Sequence, residues 1–231
     1  MSGREQILAR IRDALGRGPL DAAGAAPLAA RLQAPSANRL PAASRGDRAT
    51  LLRRFAAKVR RAEATLVPLE TLAEVPQAVA QRFPQADAVR VAPHPDLASL
   101  AWPAAGLAAS LGPARADDRL GVSRAYAAVA ESGTLVLCSG PASPTTLNFL
   151  PDCHVVVVHA ADVAGAYEAV WARLREQADS AAFLPRTVNW ITGPSRTADI
   201  EQTLYLGIHG PRQLHVLLVG TGLVELLEEG G

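Results

Sequence analysis

Residues 193–211 of this 231-residue chain, GPSRTADIEQTLYLGIHGP, bring hydroxyl, carboxylate and imidazole side chains together within nineteen positions. Ser195 and Thr197 supply the hydroxyls, Asp199 and Glu201 the carboxylates, and His209 stands between Gly207-Ile208 and Gly210-Pro211. Carboxylates and imidazoles transfer protons or hold a substrate hydroxyl, whereas hydroxyls and free backbone N–H groups bind anions. The segment follows an apolar, strand-like run at 187–192 that stops at Gly193-Pro194. Its spacing predicts a short helix starting there, with Ser195 and Thr197 at the cap and the two acids in the first turn, where the helix dipole favours them. A parallel strand ending in such a helix forms a ligand crevice at its carboxyl end. On this reading Gly193, Ser195, Thr197 and Gly210 bind an anionic group, and Asp199, Glu201 and His209 are the candidates for proton transfer. Capping alone would explain the first turn but leaves His209, set in a glycine turn, without a structural role.

A second constellation, Ala130-Glu131-Ser132-Gly133-Thr134, precedes an apolar run at 134–138. Glu131 offers a base, a nucleophile or a hydrogen-bond acceptor, Ser132 and Thr134 offer hydroxyls, and Gly133 lets the backbone turn sharply beside a ligand. The bland alternative is an ordinary turn with a solvated glutamate. The small-residue loop at 139–146, SGPASPTT, reads either as an anion cradle, though its prolines remove donors, or as a plain connection. His154 enters the next strand as an edge residue or a cleft-lining group. His159 lies five positions further on, so on a strand the two point to opposite faces and share no metal. His94 and His215 read as structural, no metal site is predicted, and Gly220-Thr221-Gly222 lacks the third glycine of a dinucleotide fingerprint.

The elements that must position these residues alternate. Strand-like runs at 65–69, 88–92, 121–129, 134–138, 154–159, 187–192 and 214–219 are separated by helical patterns, among them 75–83, 96–102 and 162–177. Near-continuous runs such as Val155-Val156-Val157-Val158 suit strands covered on both faces. The expected fold is therefore α/β, with a three-layer, Rossmann-like sheet. Residues 1–46 are expected to form a helix with Ile7, Leu8, Ile11 and Leu15 on one face, followed by a loose arm rich in Ala, Pro and Gly. A helix resuming near Asp47 leads into the main domain at 47–231, and the arm is a candidate for partner or self-association.

Composition narrows the function. Half the residues are hydrophobic and the formal charge is +1, so a folded core is expected and no general field draws the chain to nucleic acid or an anionic membrane. The amphipathic, charged N-terminus is not a secretory leader, which predicts a cytoplasmic protein without membrane insertion. Cys138 and Cys153 are the only cysteines, fewer than the four thiolates of an ordinary iron–sulfur cluster. Any cluster chemistry therefore belongs to another chain. Lys58 is the only lysine and lies in an Arg-rich stretch, which argues against a P-loop or a Schiff-base enzyme.

Taken together, AESGTLVLCSGPASPTTLNFLPDCHVVVV and ITGPSRTADIEQTLYLGIHGPRQLHVLLV resemble the signature blocks of the lactate-utilisation (LUD) domain family, strongly over about 120–219 and weakly before that. The resemblance implies a fold of the ribose-5-phosphate isomerase, CoA-transferase and methenyltetrahydrofolate synthetase type. It also implies a cytoplasmic system oxidising L-lactate to pyruvate with two iron–sulfur-associated partner proteins. The motif positions it carries over are Glu131, Gly133, Thr134, Pro151, His154, Gly193, Ser195, Thr197, Asp199, Glu201, Gly207, His209, Gly210 and Pro211. Ser132 departs from the usual Thr, keeping the hydroxyl and losing the methyl. Three functions stay open at this level: a subunit of a lactate-oxidising complex that binds a small anionic ligand or an unidentified cofactor, an independent enzyme of the isomerase, CoA-transferase or folate-ligase type, and a non-catalytic assembly subunit. Homo-oligomerisation is compatible with each.

Overall fold

The computed structural model describes residues 2–33, 39–177, 184–200 and 203–228. The chain divides into two compact units, Met1–Arg39 and Leu40–Gly231. In the first, α1 (Gly3–Ala14) opens on a capping box in which Ser2 N–H donates to Glu5 Oε2 (2.6 Å) and Glu5 N–H donates to Ser2 Oγ (3.4 Å). The stretch expected as a loose arm contains a second helix, α2 (Ala22–Gln33). Six of its twelve residues are alanine, the strongest helix former, which carries the helix through Pro27.

The second unit begins with α3 (Arg48–Arg61), where Asp47 caps the first turn by accepting from Thr50 N–H (2.7 Å). There follow β1 (Thr65–Leu69), α4 (Val75–Arg82), β2 (Ala88–Val91), α5 (Pro95–Ala98), β3 (Ala108–Leu111), β4 (Leu120–Arg124), β5 (Ala127–Val129), β6 (Thr134–Cys138), β7 (Cys153–His159), β8 (Val163–Ala164) and α6 (Tyr167–Glu176). The chain continues through β9 (Val188–Ile191), β10 (Arg196–Ile200), β11 (Thr203–Leu206), β12 (Gln213–Val219) and α7 (Leu223–Glu228). Six strands form an all-parallel central sheet in the order β1-β12-β7-β4-β2-β3. The fold is thus mixed α/β around a parallel sheet. Its order differs from the usual doubly wound arrangement in that the first strand sits at the edge beside the last.

Period-two alternation sorts the strand residues between two cores. Val156, Val158, Val216 and Leu218 face α3 and α7, meeting Phe55, Val59 and Leu223. Val155, Val157, Leu217 and Val219 face the other way, against Val75, Val79, Leu97 and Trp102. Both faces of the sheet are therefore dry, which accounts for the unbroken valine run.

The apolar run at 121–129 is not one strand. β4 stays in the central sheet, and the chain then crosses at Ala125-Tyr126, where Ala125 N–H donates to Val157 O (2.9 Å) and Tyr126 N–H to Val136 O (2.8 Å). β5 belongs to a second sheet, ordered β8-β5-β6-β9. In it β6 pairs antiparallel with both β5 and β9. Leu135 and Leu137 of β6 turn toward α3, while Val136 meets Val170 and Leu174 of α6.

Two expectations about 187–211 are corrected here. The run at 187–192 is an antiparallel strand of the second sheet, not a member of the parallel sheet. The helix expected from Ser195 is instead a β-hairpin, with Arg196 opposite Leu206 and Thr197 opposite Tyr205. Thr and Tyr at alternating positions favour an extended ribbon over a helix, and pairing partners only eight to ten residues away close it locally.

Candidate functional site

The segments that flank the hairpin, 193–196 and 209–211, border a half-open cavity of about 260 Å³ at the amino ends of β7 and β12. Asn148 and Phe149 come from the turn before β7, His154 from β7 itself, Trp190 and Ile191 from β9, Leu214 from β12, and the rest from 193–196 and 209–211. The volume approaches the ~300 Å³ at which small-ligand sites begin, and the mix of apolar walls with a few polar groups is typical of them. Backbone bonds fasten the mouth. Ser195 N–H donates to Pro211 O (2.9 Å), and Gly207 N–H donates to Ser195 O (2.9 Å).

Two polar side chains in the wall have unspent bonding capacity. His154 is fully buried, its Nε2 lies 2.6 Å from Ser123 Oγ, and its Nδ1 has no partner. Asn148 is also buried, and its Oδ1 has none either. A buried acceptor or donor left unpaired costs about 1–3 kcal/mol, so a group that satisfies both is strongly favoured here. Burial pushes the His154 pKa down to about 3, so the ring is neutral at pH 7, with one nitrogen donating and the other accepting. Ser123 can play either role, so Nδ1 can be either a donor or an acceptor.

At the mouth, Arg196 donates from Nη2 to Ala62 O (3.2 Å) and pairs through Nη1 with Glu63 Oε1 (3.4 Å), which ties the hairpin to the end of α3. Gly193 has φ of +75°, and a Cβ there would run into the Ala62 carbonyl oxygen. Its lack of a side chain therefore serves the contact with α3. The amide donors expected at a helix start are also revised: with no helix there, Ser195 N–H is already committed to Pro211.

The Glu131 block sits in the β5–β6 turn, next to the end of β9 but outside the cavity lining. Thr134 Oγ1 is within hydrogen-bond distance of Ser132 Oγ (2.7 Å), Tyr167 Oη (2.7 Å) and Thr192 Oγ1 (2.6 Å). This hydroxyl cluster anchors the strand end that feeds into Gly193. Gly133, at φ +76°, lets the turn approach α3: a Cβ would stand 2.7 Å from the Lys58 carbonyl carbon and the Val59 nitrogen. Glu131 is half-buried, and its Oε2 has no partner. In the loop at 139–146, Ser139 Oγ accepts from Thr187 N–H (2.9 Å) and so ties the loop to the start of β9.

Of the residues selected from sequence, the structure brings His154, Gly193, Ser195, His209 and Gly210 to one cavity. Glu131, Ser132, Gly133 and Thr134 form a neighbouring cluster that reaches it through Thr192. Thr197 and Asp199 lie on β10, and Glu201 lies outside the described residues. Asn148, Trp190 and Arg196 were missed. The asparagine sits in an otherwise apolar stretch, TLNFLP, which was the available signal; the other two needed the tertiary fold. Among the described residues, no group of three or more His, Cys, Asp or Glu side chains is placed to hold a metal ion, and no helix is long and apolar enough to cross a membrane.

A model of the LUD domain matches residues 52–219. Lactate utilization protein C of Geobacillus thermodenitrificans is 36% identical over 100 residues, 43% of this chain and 42% of that protein. The protein of the same name from Halalkalibacterium halodurans is 36% identical over 92 residues, 40% of each chain. The aligned part thus spans about two-fifths of the length of these relatives. The crystal structure of a DUF162 family protein from Deinococcus radiodurans superposes with a TM-score of 0.55 at 25% identity, covering 76% of this chain and 100% of the other.

Proposed function

The chain belongs to the LUD domain family, and on that premise we propose that it serves lactate utilisation by binding a small hydroxy acid in the cavity between β7, β9 and β12. The observation that carries this reading is the pair of buried, unpartnered atoms, Asn148 Oδ1 and His154 Nδ1, both in residues that line that cavity. A hydroxyl group donates its one proton to Asn148 Oδ1 and accepts from His154 Nδ1–H, the tautomer in which Ser123 Oγ donates to Nε2. The carboxylate of such a ligand suits the Ser195, Arg196 and His209 side of the same cavity. The names of the relatives supply lactate as the hydroxy acid to test first.

In this proposal His209, Asp199 and Glu201 carry any proton transfer, Glu131 remains available at the adjoining cluster, and Thr197 stiffens the hairpin. The protein works in the cytoplasm beside two iron–sulfur proteins that handle the electrons, as its family resemblance implies. We also read the sheet as a variant of the ribose-5-phosphate isomerase and CoA-transferase type with β1 moved to the edge, and residues 1–46 as an appendage to the domain at 47–231.

Calorimetric titration of the full chain with L-lactate and with pyruvate tests the cavity. Asn148→Ala is expected to weaken L-lactate binding about tenfold, the equivalent of one hydrogen bond of ~1.4 kcal/mol. Unchanged affinity would overturn the assignment. Growth on L-lactate tests the chemistry: loss with His209→Gln or Asp199→Asn in a folded protein supports a catalytic role, and normal growth with both moves the reaction to the partner chains.

A further inference from the structure

The carboxyl ends of the central strands, opposite the cavity just described, hold a second set of charged residues. From β2 the chain moves outward to β3, whereas from β4 it moves the other way to β7 and then β12. The boundary between β2 and β4 is therefore the topological switch point of the sheet, the place where open α/β sheets leave a crevice for a ligand. Here the crevice is a cavity of about 200 Å³ lined by His94, Arg124, Cys138, Ser143, Asp162 and Arg173, among others.

Its carboxylates are already ion-paired. Arg124, the last residue of β4, donates from Nε to Asp96 Oδ2 (3.1 Å) and from Nη2 to Asp162 Oδ2 (2.6 Å). Arg173 Nη1 donates to Asp162 Oδ1 (2.8 Å), and His159 Nε2 lies 3.2 Å from Asp96 Oδ2. Burial alone would raise both carboxyl pKa values, but the bonds from Arg124, His159 and Arg173 outweigh it and hold them below the usual range. Tyr126 is engaged too, donating to Gln177 Oε1 (2.6 Å). Burial raises the Cys138 thiol to about 11, so it stays protonated and is not a nucleophile.

The donors, by contrast, are left over. His94 Nδ1 accepts from Asp96 N–H (3.2 Å), and burial lowers its pKa, so the neutral ring carries its proton on Nε2. Ser143 also lines the cavity and carries a hydroxyl. Arg173 lies with its guanidinium 4.6 Å from the Tyr126 ring centre, which fixes its plane, and its five N–H donors exceed what Asp162 and Tyr126 can take. A cavity whose carboxylate is ion-paired with two arginines and whose other groups have donors to spare favours a ligand that accepts.

We propose that the switch-point crevice is a second ligand site, which takes an oxyanion (carboxylate or phosphate) borne by a small molecule, held by Arg173, His94 and Ser143. It is separate from the hydroxy-acid cavity, so the two readings fail independently.

The test is titration of the full chain with inorganic phosphate and, separately, with acetate, a carboxylate without the hydroxyl that Asn148 would meet, followed by calorimetry and by chemical shifts of His94. Ser143→Asp places a negative charge in the crevice while Arg124, Asp162 and Arg173 stay in the sequence, and it is expected to weaken the bound anion at least about tenfold. Arg173→Gln should do the same, while Arg124 still holds Asp162. Asn148→Ala, in the other cavity, should leave this binding unchanged. Whichever of the two anions shows this pattern identifies the oxyanion. The proposal is overturned if neither anion binds saturably, if Ser143→Asp binds as the parent does, or if Asn148→Ala removes the binding instead.

Discussion

Acidification should destabilise this protein well before its carboxylates titrate, and His154 sets the size of the effect. Its pKa is about 3 in the fold, because the ring is fully buried. In the unfolded chain it returns to its ordinary value of about 6.5. Between these two values the unfolded chain binds a proton that the folded chain refuses, so stability falls as pH falls. The slope for one such group approaches ~1.4 kcal/mol per pH unit, which gives a loss of about 1.4 kcal/mol at pH ~5.5 and about 2.7 kcal/mol at pH ~4.5. Burial depresses His215, to about 4, and His94 as well, so both add in the same direction. Asp96 and Asp162 have lowered pKa values; their contribution is present above the unfolded carboxylate range and is lost only at lower pH. Urea unfolding at a series of pH values from about 7.5 to 4.5, repeated on His154→Gln, isolates the share of this one ring. The variant should show a shallower slope, and NMR of the His154 ring should show no titration above pH ~5. A His154 signal titrating near 6.5, or an unchanged slope in the variant, would refute the argument.

Gly193→Ala should cost about 2–4 kcal/mol, because it combines a left-handed backbone with a clash against the end of α3. Thermal melts check this, and an unchanged midpoint would show that the hairpin end moves freely. Arg124→Met strips two partly buried carboxylates of their shared partner and should destabilise by about 3–5 kcal/mol, read from denaturant midpoints. Cys138, with its thiol raised to about 11, should react with iodoacetamide at pH ~8 far more slowly than in the urea-unfolded chain; equal rates would mean that the thiol is not buried in solution.

The sequence by itself determined the elements whose signals are local. Asp47 marks the start of α3, and the four consecutive valines of β7 announce a strand covered on both faces, because capping and burial leave their mark on the residues concerned. It also singled out His154, Ser195, His209 and Gly210, which meet at one cavity although up to 56 positions separate them. What only the tertiary structure decided was partnership. The run at 121–129 looks like one strand, but it divides between two sheets because Ala125 and Tyr126 bond to different neighbours. Residues 195–201 carry capping-type side chains that read as a helix start, yet 196–200 pair with 203–206 as a hairpin, since pairing across a turn outweighs the weak preference of single residues. The order of strands in the central sheet is also invisible in the chain. It is set by which apolar faces cover one another, and that order alone creates the switch point where Asp96, Arg124, His159 and Asp162, distant in sequence, form one network.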